Sequence, residues 1–264
     1  DFVAVTDAEL DNDTYEAAEK QFQQNNVKQA IAGFSGYINQ FPRGIHALQA
    51  NYYLAQLYYS EGSESKSIAN YEYVIAQSRS EFTEQSLSRL AQIFLKNKEY
   101  EKAIPVLSRL ENEADISQNK TFAQSNLMKS YYDKKDYPNS VIYAEKVLMN
   151  PKTDDNVKSD AQIIIARAAI ETGDEAKAKV AYAKLMTIAK GELAAEALYY
   201  DAYFKNKDEK FEASNTAVQK LAKNYSSYKY FGAKGLVLMA KNFYGLKDSY
   251  QATYILENVI QNFT

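Results

Sequence analysis

The feature that most constrains this chain is a pair of small residues, twelve positions apart, that recurs along its length. Ala55 and Ser67 form one such pair, and Ala91 and Ala103 form the next. With Met128 standing in for a small residue once, seven pairs share this spacing, and their second members are 36 to 38 residues apart. In most units an apolar residue follows four and seven positions after each second member, offsets that define one buried helical stripe. The register therefore predicts seven similar units.

Turn-forming sequences separate the two small residues of each pair. Examples are EGSE at 61–64, KNKE at 96–99 and TGDE at 172–175. On either side the apolar spacing is i, i+3, i+4, i+7, which favours helices, and only four prolines and nine glycines interrupt the chain. Each unit is predicted to be a helix, a tight turn and a second helix folded back antiparallel, with the small residues where the backbones approach most closely.

Several short sequences carry a family resemblance. LAQLY (54–58) and LAQIF (90–94) match the first helix of the tetratricopeptide repeat, AIAGF (30–34) and SIANY (67–71) match its second helix, and Pro42 and Pro151 fall at its closing position. The chain resembles that family over residues 14–264. The resemblance implies an all-α, right-handed superhelical solenoid of antiparallel helix pairs. We expect an acidic tail or linker over 1–13, followed by seven repeats at about 14–44, 45–80, 81–116, 117–153, 154–191, 192–228 and 229–264.

Composition removes several classes of function. The 264 residues carry a net charge of -3, which gives no reason to expect a nucleic-acid partner. No run approaches the eighteen apolar residues that a membrane span needs. Cysteine is absent, so disulfides and thiolate chemistry are ruled out. The one histidine, His46, is expected at the surface in a turn, and we expect no metal site and no cofactor.

Catalytic arrangements are also missing from the sequence. GFSGY (33–37) lacks the spacing of a nucleophile elbow, and no glycine-rich phosphate loop is present. The carboxylates of DNDTYEAAE are interpreted as a helix start, with Asp13 and Glu16 spaced as a capping box, and TDDN (153–156) precedes another helix in the same way. We therefore predict no catalytic residue and no enzyme.

The repeat instead offers a binding surface. In the family, residues at fixed offsets from the first small residue line a concave groove formed by the first helices, and such grooves bind peptides or partner helices. Tyrosine suits this role because it combines a large rigid ring with a hydroxyl. Carried over by register, the predicted groove residues are Tyr15, Phe22, Gln49, Tyr52, Gln56, Tyr59, Gln92, Lys129, Tyr132, Arg167, Tyr199, Tyr203, Lys241 and Tyr244.

The main hypothesis from the sequence is a non-catalytic scaffold that binds a protein or peptide partner. The long repeats and the YINQFP ending are similar to bacterial cell-envelope members of the family, of the BamD and Tol-Pal coordinator type, which implies a periplasmic or envelope location. A cytoplasmic location stays open. The alternatives are a glycan- or peptidoglycan-binding solenoid and an accessory domain of a larger regulator. At the far end, Leu256, Val259 and Ile260 are expected to meet a continuation of the chain or another copy of it.

Overall fold

The computed structural model describes residues 6–263 of the chain, and over that range it contains fourteen α-helices and no strand. The all-α fold class predicted from the sequence is confirmed. The helices are α1 (Asp7–Gln23), α2 (Val27–Gln40), α3 (Ala47–Ser60), α4 (Glu64–Ala76), α5 (Thr83–Lys96), α6 (Tyr100–Glu113), α7 (Ser117–Asp133), α8 (Tyr137–Met149), α9 (Asp155–Glu171), α10 (Glu175–Met186), α11 (Gly191–Lys207), α12 (Phe211–Asn224), α13 (Lys229–Gly245) and α14 (Ser249–Phe263).

The paired small residues lie at the helix–helix contacts, as the register predicts. Both members of every pair are buried, and ten of these fourteen residues are alanine. In two repeats the second small residue is a serine that hydrogen-bonds to the first helix. Ser140 Oγ donates to the Met128 carbonyl at 2.8 Å, and Ser214 Oγ donates to the Ala202 carbonyl at 2.7 Å. A larger side chain would separate the two backbones, at a cost of about 1–3 kcal/mol.

The turn inside each helix pair has the same backbone conformation every time. One residue, five positions before the second small residue, has a positive φ of 57–76°. The following residue donates its N–H to the carbonyl five positions earlier, as in the bond from Glu99 to Phe94, which closes the first helix. The residues with positive φ in the seven turns are Asn25, Gly62, Lys98, Lys135, Gly173, Glu209 and Lys247.

The first helix starts earlier than the sequence suggested. α1 begins at Asp7, so the segment expected to be an acidic tail to residue 13 is helical over the part that the structure describes; residues 1–5 lie outside it. The capping box is formed by Thr6 and Glu9 and not by Asp13 and Glu16. The expected cap before α9 is present, with Asp154 accepting from the Val157 N–H at 3.0 Å.

The described chain divides into two compact units, with the boundary between Asn126 and Leu127 inside α7. In the first unit a core cluster joins α1, α2 and α3, with Tyr15, Phe34 and Tyr37 at its centre. In the second unit one cluster extends from Met128 to Phe204 and another joins α11, α12 and α13 around Leu198. Within the described residues no helix combines the length and apolarity needed to cross a membrane.

The last helix differs from the others in what it buries. In six of the seven repeats, the residues four and seven positions after the second small residue are almost wholly buried. In α14, by contrast, Leu256 is 42% exposed and Val259 is half-buried. Ile260 is 63% exposed, and Tyr250 and Tyr254 are exposed as well. Among the residues that the structure describes, this helix therefore presents an exposed apolar face.

Candidate functional site

The predicted groove residues fall into several groups in the structure. Some join two polar and aromatic clusters, one in each unit, while others are buried or lie alone at the surface. We call the cluster in the first unit the Arg89 patch; it consists of Tyr52, Gln56, Tyr59, Arg89 and Gln92, from α3 and α5. The cluster in the second unit, the Lys234 pocket, is built from α7, α9, α10, α11 and α13.

The Arg89 patch is held together by one amide oxygen. Gln92 Oε1 accepts from the Tyr59 hydroxyl at 3.2 Å and from Arg89 Nη1 at 3.0 Å. The Arg89 guanidinium also lies over the Tyr59 ring, 4.5 Å from its centroid. Beside them, the Tyr52 ring stacks on Phe82 at 4.4 Å. The predicted residues Tyr59 and Gln92 are thus joined through Arg89, and Gln56 is hydrogen-bonded to Tyr52 beside them.

Two polar groups of this region have hydrogen-bonding capacity that the described chain does not use. Arg89 Nε is buried and makes no hydrogen bond, and no described carboxylate forms an ion pair with this arginine. The hydroxyl of Tyr71, a fully buried residue of α4, has no hydrogen-bond partner within residues 6–263. Burial raises the pKa of Tyr71, and the positive charge of Arg89 acts in the opposite direction. A buried donor without a partner costs about 1–3 kcal/mol, so these two groups make this part of the first unit less stable than a fully hydrogen-bonded one.

In the second unit, charged residues pair between successive first helices. Lys129 Nζ lies 2.5 Å from Asp160 Oδ2, linking α7 to α9. Arg167 donates from Nε and Nη2 to the two oxygens of Glu196, at 2.9 and 2.5 Å, linking α9 to α11. The Glu196 side chain is only 5% exposed, and Oε1 also accepts from the Tyr182 hydroxyl at 2.9 Å. The hydrogen bond to Glu196 is the main reason that the pKa of Arg167 is raised.

The Lys234 pocket lies beside that ion pair and has a volume of about 230 Å³. The Lys234 ammonium stands over three tyrosine rings, 4.5 Å from the centroid of Tyr199, 5.3 Å from Tyr230 and 5.7 Å from Tyr200. Tyr132, predicted for the groove, forms part of the wall, and Arg167 forms another part. Tyr199 is packed beneath the lysine, and burial raises its pKa to about 12.

Other predicted groove residues are in different places. Tyr15 is 4% exposed and belongs to the core, because its ring stacks on His46 at 4.2 Å and packs against Phe34 and Tyr37. Phe22 is half-buried against Phe34. The prediction that Tyr15 lines the groove is therefore wrong, because its ring faces the core. Tyr199 is likewise buried, at 8% exposure, with Lys234 over its ring.

The remaining predictions concern less buried positions. Gln49 and Tyr203 are half-buried, and Lys207 Nζ lies 6.0 Å from the Tyr203 ring. Lys241 and Tyr244 are exposed, the latter by 74%, and join neither cluster. His46, expected at the surface, is half-buried, with Nε2 3.0 Å from Asn12 Oδ1. Across residues 6–263 no group of three or more His, Asp and Glu side chains is arranged to hold a metal ion.

The family offsets also place Glu196 and Lys234 on the concave face, so the residues of this pocket that the register missed are Tyr200 and Tyr230, whose rings lie next to the Lys234 ammonium. The register does relate the charged pairs of this face. The residue one position after the first small residue pairs with the residue six positions before the next, which relates Lys129 to Asp160 and Arg167 to Glu196. Reading charges at those two offsets would have identified both pairs. The three tyrosines around Lys234, which we call the tyrosine cage (Tyr199, Tyr200 and Tyr230), have no comparable signal in the sequence, because neighbouring tyrosines occur throughout the chain.

Comparison with known proteins agrees with this architecture. Residues 3–125 match the family model of the tetratricopeptide repeat-like domain. No curated protein matches the sequence. Among solved structures, the C-terminal part of a tetratricopeptide repeat-containing protein from Cytophaga hutchinsonii superposes with a TM-score of 0.59 at 16% identity, covering 94% of each chain. The MamA protein superposes with a TM-score of 0.54 at 13% identity, covering 68% of this chain and 91% of MamA.

A third structure, of Naa15/Naa10 bound to HypK-THB, has a TM-score of 0.53 at 13% identity and covers 96% of this chain and 36% of that one. These identities are low, so the likenesses establish the fold alone. Residues 3–125 thus match the tetratricopeptide repeat-like family that the sequence motifs suggested, and the solved structures share the helical-repeat fold over most of the chain. Folds of this kind present surfaces for protein partners.

Proposed function

We propose that this protein is a non-catalytic scaffold that holds a peptide or a helix of a partner protein against the Arg89 patch. The observation that carries the proposal is the guanidinium of Arg89. It is held by Tyr59 and Gln92 and is only half-buried, yet its charge has no carboxylate partner among the described residues. An extended peptide supplies backbone carbonyls and side-chain acceptors, which suit such a donor.

Aromatic side chains add to this proposal. Tyr52 and Tyr59 are half-buried and already ordered by contacts with Phe82 and Arg89. Ordering before binding reduces the entropy cost of association, and tyrosine is common among residues that dominate binding energy.

Crosslinking in the native host tests the scaffold. A photoreactive residue at Gln56, in the middle of the patch, should capture one or a few proteins, and capture should fall at least about tenfold when Tyr52→Ala and Tyr59→Ala are combined. Arg89→Gln should have a similar effect, since it removes the donor fork but leaves Tyr59 in place. Partners that remain captured by both variants would overturn the proposal.

Tyr73→Ala is the matched control. Tyr73 is a half-buried tyrosine on α4 of the same repeat, and its hydroxyl contacts the Pro42 carbonyl at a distance of 3.4 Å. The Tyr73→Ala variant removes a tyrosine ring of the same size outside the patch and should capture the same partners as the wild-type protein. Circular dichroism melts of all variants show whether the fold is retained.

The exposed face of α14 supports a second contact, with another copy of this chain. Leu256, Ile260 and Phe263 lie three to four residues apart along one side of the helix and are all exposed. Sedimentation equilibrium should show a concentration-dependent dimer that Ile260→Lys abolishes. A wild-type chain that is monomeric at about 100 μM would contradict this part of the proposal.

A location in the bacterial envelope is proposed from the sequence resemblance alone. The YINQFP ending and the repeat length are the supporting features. Fractionation of cells that express the natural reading frame with a C-terminal tag tests it, and recovery in the cytosolic fraction would overturn it.

A further inference from the structure

The second unit contains a regular sequence of facing charges that is reversed at its end. From α7 to α9 and from α9 to α11, a cation one position after the first small residue meets a carboxylate six positions before the next one. From α11 to α13 the same two positions hold Tyr203 and Lys234. The position that supplies the carboxylate in the earlier pairs therefore supplies a cation here.

That cation has no charge partner of its own. Within the described residues no carboxylate lies within ion-pair distance of Lys234, and its ammonium makes no hydrogen bond to the chain. By contrast, Arg167 in the same pocket is neutralised by Glu196. Glu171 also lines the pocket, but its side chain is exposed at the rim. The unused charge of the pocket is thus the ammonium of Lys234.

The surroundings fix that ammonium in one place. Rings of Tyr199, Tyr200 and Tyr230 lie 4.5 to 5.7 Å from it, which holds a half-buried lysine without neutralising it. The pocket of about 230 Å³ is large enough for one side chain, and its aromatic walls would bury the methylene groups of that side chain. Tyrosine hydroxyls at the walls can donate to the same acceptor.

We propose that the Lys234 pocket binds the carboxylate of one acidic side chain, aspartate or glutamate, of a protein partner. The inference rests on the proposed scaffold function only in taking the ligand to be a protein. The carboxylate accepts from the Lys234 ammonium and completes the cation–carboxylate pairing that the preceding helices make internally.

The pocket can be tested with a small probe. In protein with 13C-labelled tyrosine rings, a capped Gly-Glu-Gly tripeptide should move the resonances of Tyr199 and Tyr230 in a saturable way at about 0.15 M salt. Its neutral isostere, capped Gly-Gln-Gly, should bind at least about tenfold more weakly. Equal shifts with the two peptides would overturn the proposal. Equal affinity for sodium acetate would assign the pocket to a free anion and overturn the assignment to a protein side chain.

Variants separate the pocket from general effects of charge. Lys234→Gln should lose at least about tenfold in affinity for the Glu peptide and Lys234→Arg should retain binding, whereas Lys241→Gln, on the same helix but away from the cage, should have no effect. Glu171→Gln should tighten binding, because it removes the acidic group at the rim. Unchanged binding in a folded Lys234→Gln protein would refute the inference. The Gln56 crosslinking experiment tests the Arg89 patch in the first unit, whereas the peptide titration tests the Lys234 pocket in the second. The scaffold proposal and the pocket proposal can therefore fail independently of each other.

Discussion

At the scale of single residues, the loop before α3 depends on one buried carboxylate. Asp11 accepts from the Tyr37 hydroxyl at 2.6 Å and from the Ile45 N–H at 3.1 Å, and the Tyr37 oxygen accepts in turn from the His46 N–H at 3.0 Å. A Cβ atom built on Gly44 would overlap the Tyr37 hydroxyl and lie 2.5 Å from Asp11 Oδ2. The close passage of the loop therefore requires glycine at this position.

We predict that Gly44→Ala lowers the free energy of unfolding by about 2 kcal/mol, because the added methyl group breaks the Asp11–Tyr37 contact or displaces the loop. Urea denaturation measures this change. Gly36→Ala is the matched control, since nothing lies within 4 Å of a Cβ atom there and the site is inside α2. It should raise stability by about 0.5–1 kcal/mol. Two variants of equal stability would contradict the argument.

Single residues also show where sequence reasoning stops. The tyrosines of the stretch 50–78 were separable into core and surface only by register, which correctly placed Tyr71 in the interior. The register had no place for Tyr53, which packs against Phe22 and Phe34 in the core cluster. It also placed Tyr15 in a groove although its neighbour His46 covers it. The Tyr53 contacts join helices of two successive repeats, and His46 lies in the loop between those repeats; neither arrangement is determined by the spacing within one repeat.

At the scale of the helix pair, the turn carries a local energetic cost. A positive φ is disfavoured for residues with a Cβ atom by about 1 kcal/mol, yet five of the seven turns place Asn, Lys or Glu there. Gly62 and Gly173 occupy the same position in the other two turns, with no atom near a substituted Cβ. The conformation is therefore imposed by the two helices and not by the residue type.

Glu209→Gly and Lys98→Gly are each predicted to raise the free energy of unfolding by about 0.5–1 kcal/mol, because glycine relieves the backbone strain. Gly173→Ala should lower it by about 1 kcal/mol for the opposite reason. Chemical denaturation of the three variants gives the comparison. Loss of stability in both glycine variants would mean that the greater freedom of the unfolded chain outweighs the strain.

Glu84, in the first turn of α5, secures the loop between α6 and α7. Its carboxylate accepts from the Asp115 and Ile116 N–H groups, at 3.0 and 3.1 Å, and from the Asn119 side chain at 2.7 Å. Partial burial acts to raise the pKa of Glu84, but these three hydrogen bonds outweigh it and the pKa is lowered. The ionised form is thus the one that stabilises the fold.

Because the pKa of Glu84 is lower in the folded state, its contribution is complete above the pKa of an unfolded glutamate, about 4.3, and is lost as the pH falls through the folded value. Glu84→Gln should cost about 1 kcal/mol at pH 7 and less at about pH 3. Urea midpoints at the two pH values test this. Glu81→Gln, an exposed carboxylate nearby, should show no such difference, and a cost for Glu84→Gln that is the same at both pH values would contradict the assignment.

At the scale of the whole molecule, the repeated architecture was predictable from the sequence, whereas the pairing of its charged and polar groups was not. Spacing, turns and the buried stripe depend on contacts within a repeat, which recur and can be counted in the sequence. Which polar group lacks a partner depends on contacts between repeats, as with Arg89 and Lys234. The start of α1 was missed for a related reason, since the Thr6–Glu9 cap lies outside the repeat pattern.

Exposure of the last helix leads to a prediction about the stability of the whole chain. Of the α14 residues, Ala252 alone is buried, whereas α12 buries five residues. In a linear array each repeat is stabilised by its neighbours, so α14 should open at a lower free energy than α12. Amide hydrogen exchange should show α14 protected at least about tenfold less than α12. Equal protection in the monomer would contradict this reasoning.

The turn residues with positive φ also make the protein easy to label. Asn25, Lys98, Lys135, Glu209 and Lys247 are all exposed, and their backbone already tolerates a side chain. Because the chain contains no cysteine, a cysteine at any of these positions is a unique thiol. Two such thiols, one at Lys98 and one at Glu209, provide a fluorophore pair for measuring, in single molecules, how far apart the two units lie before and after a partner is added.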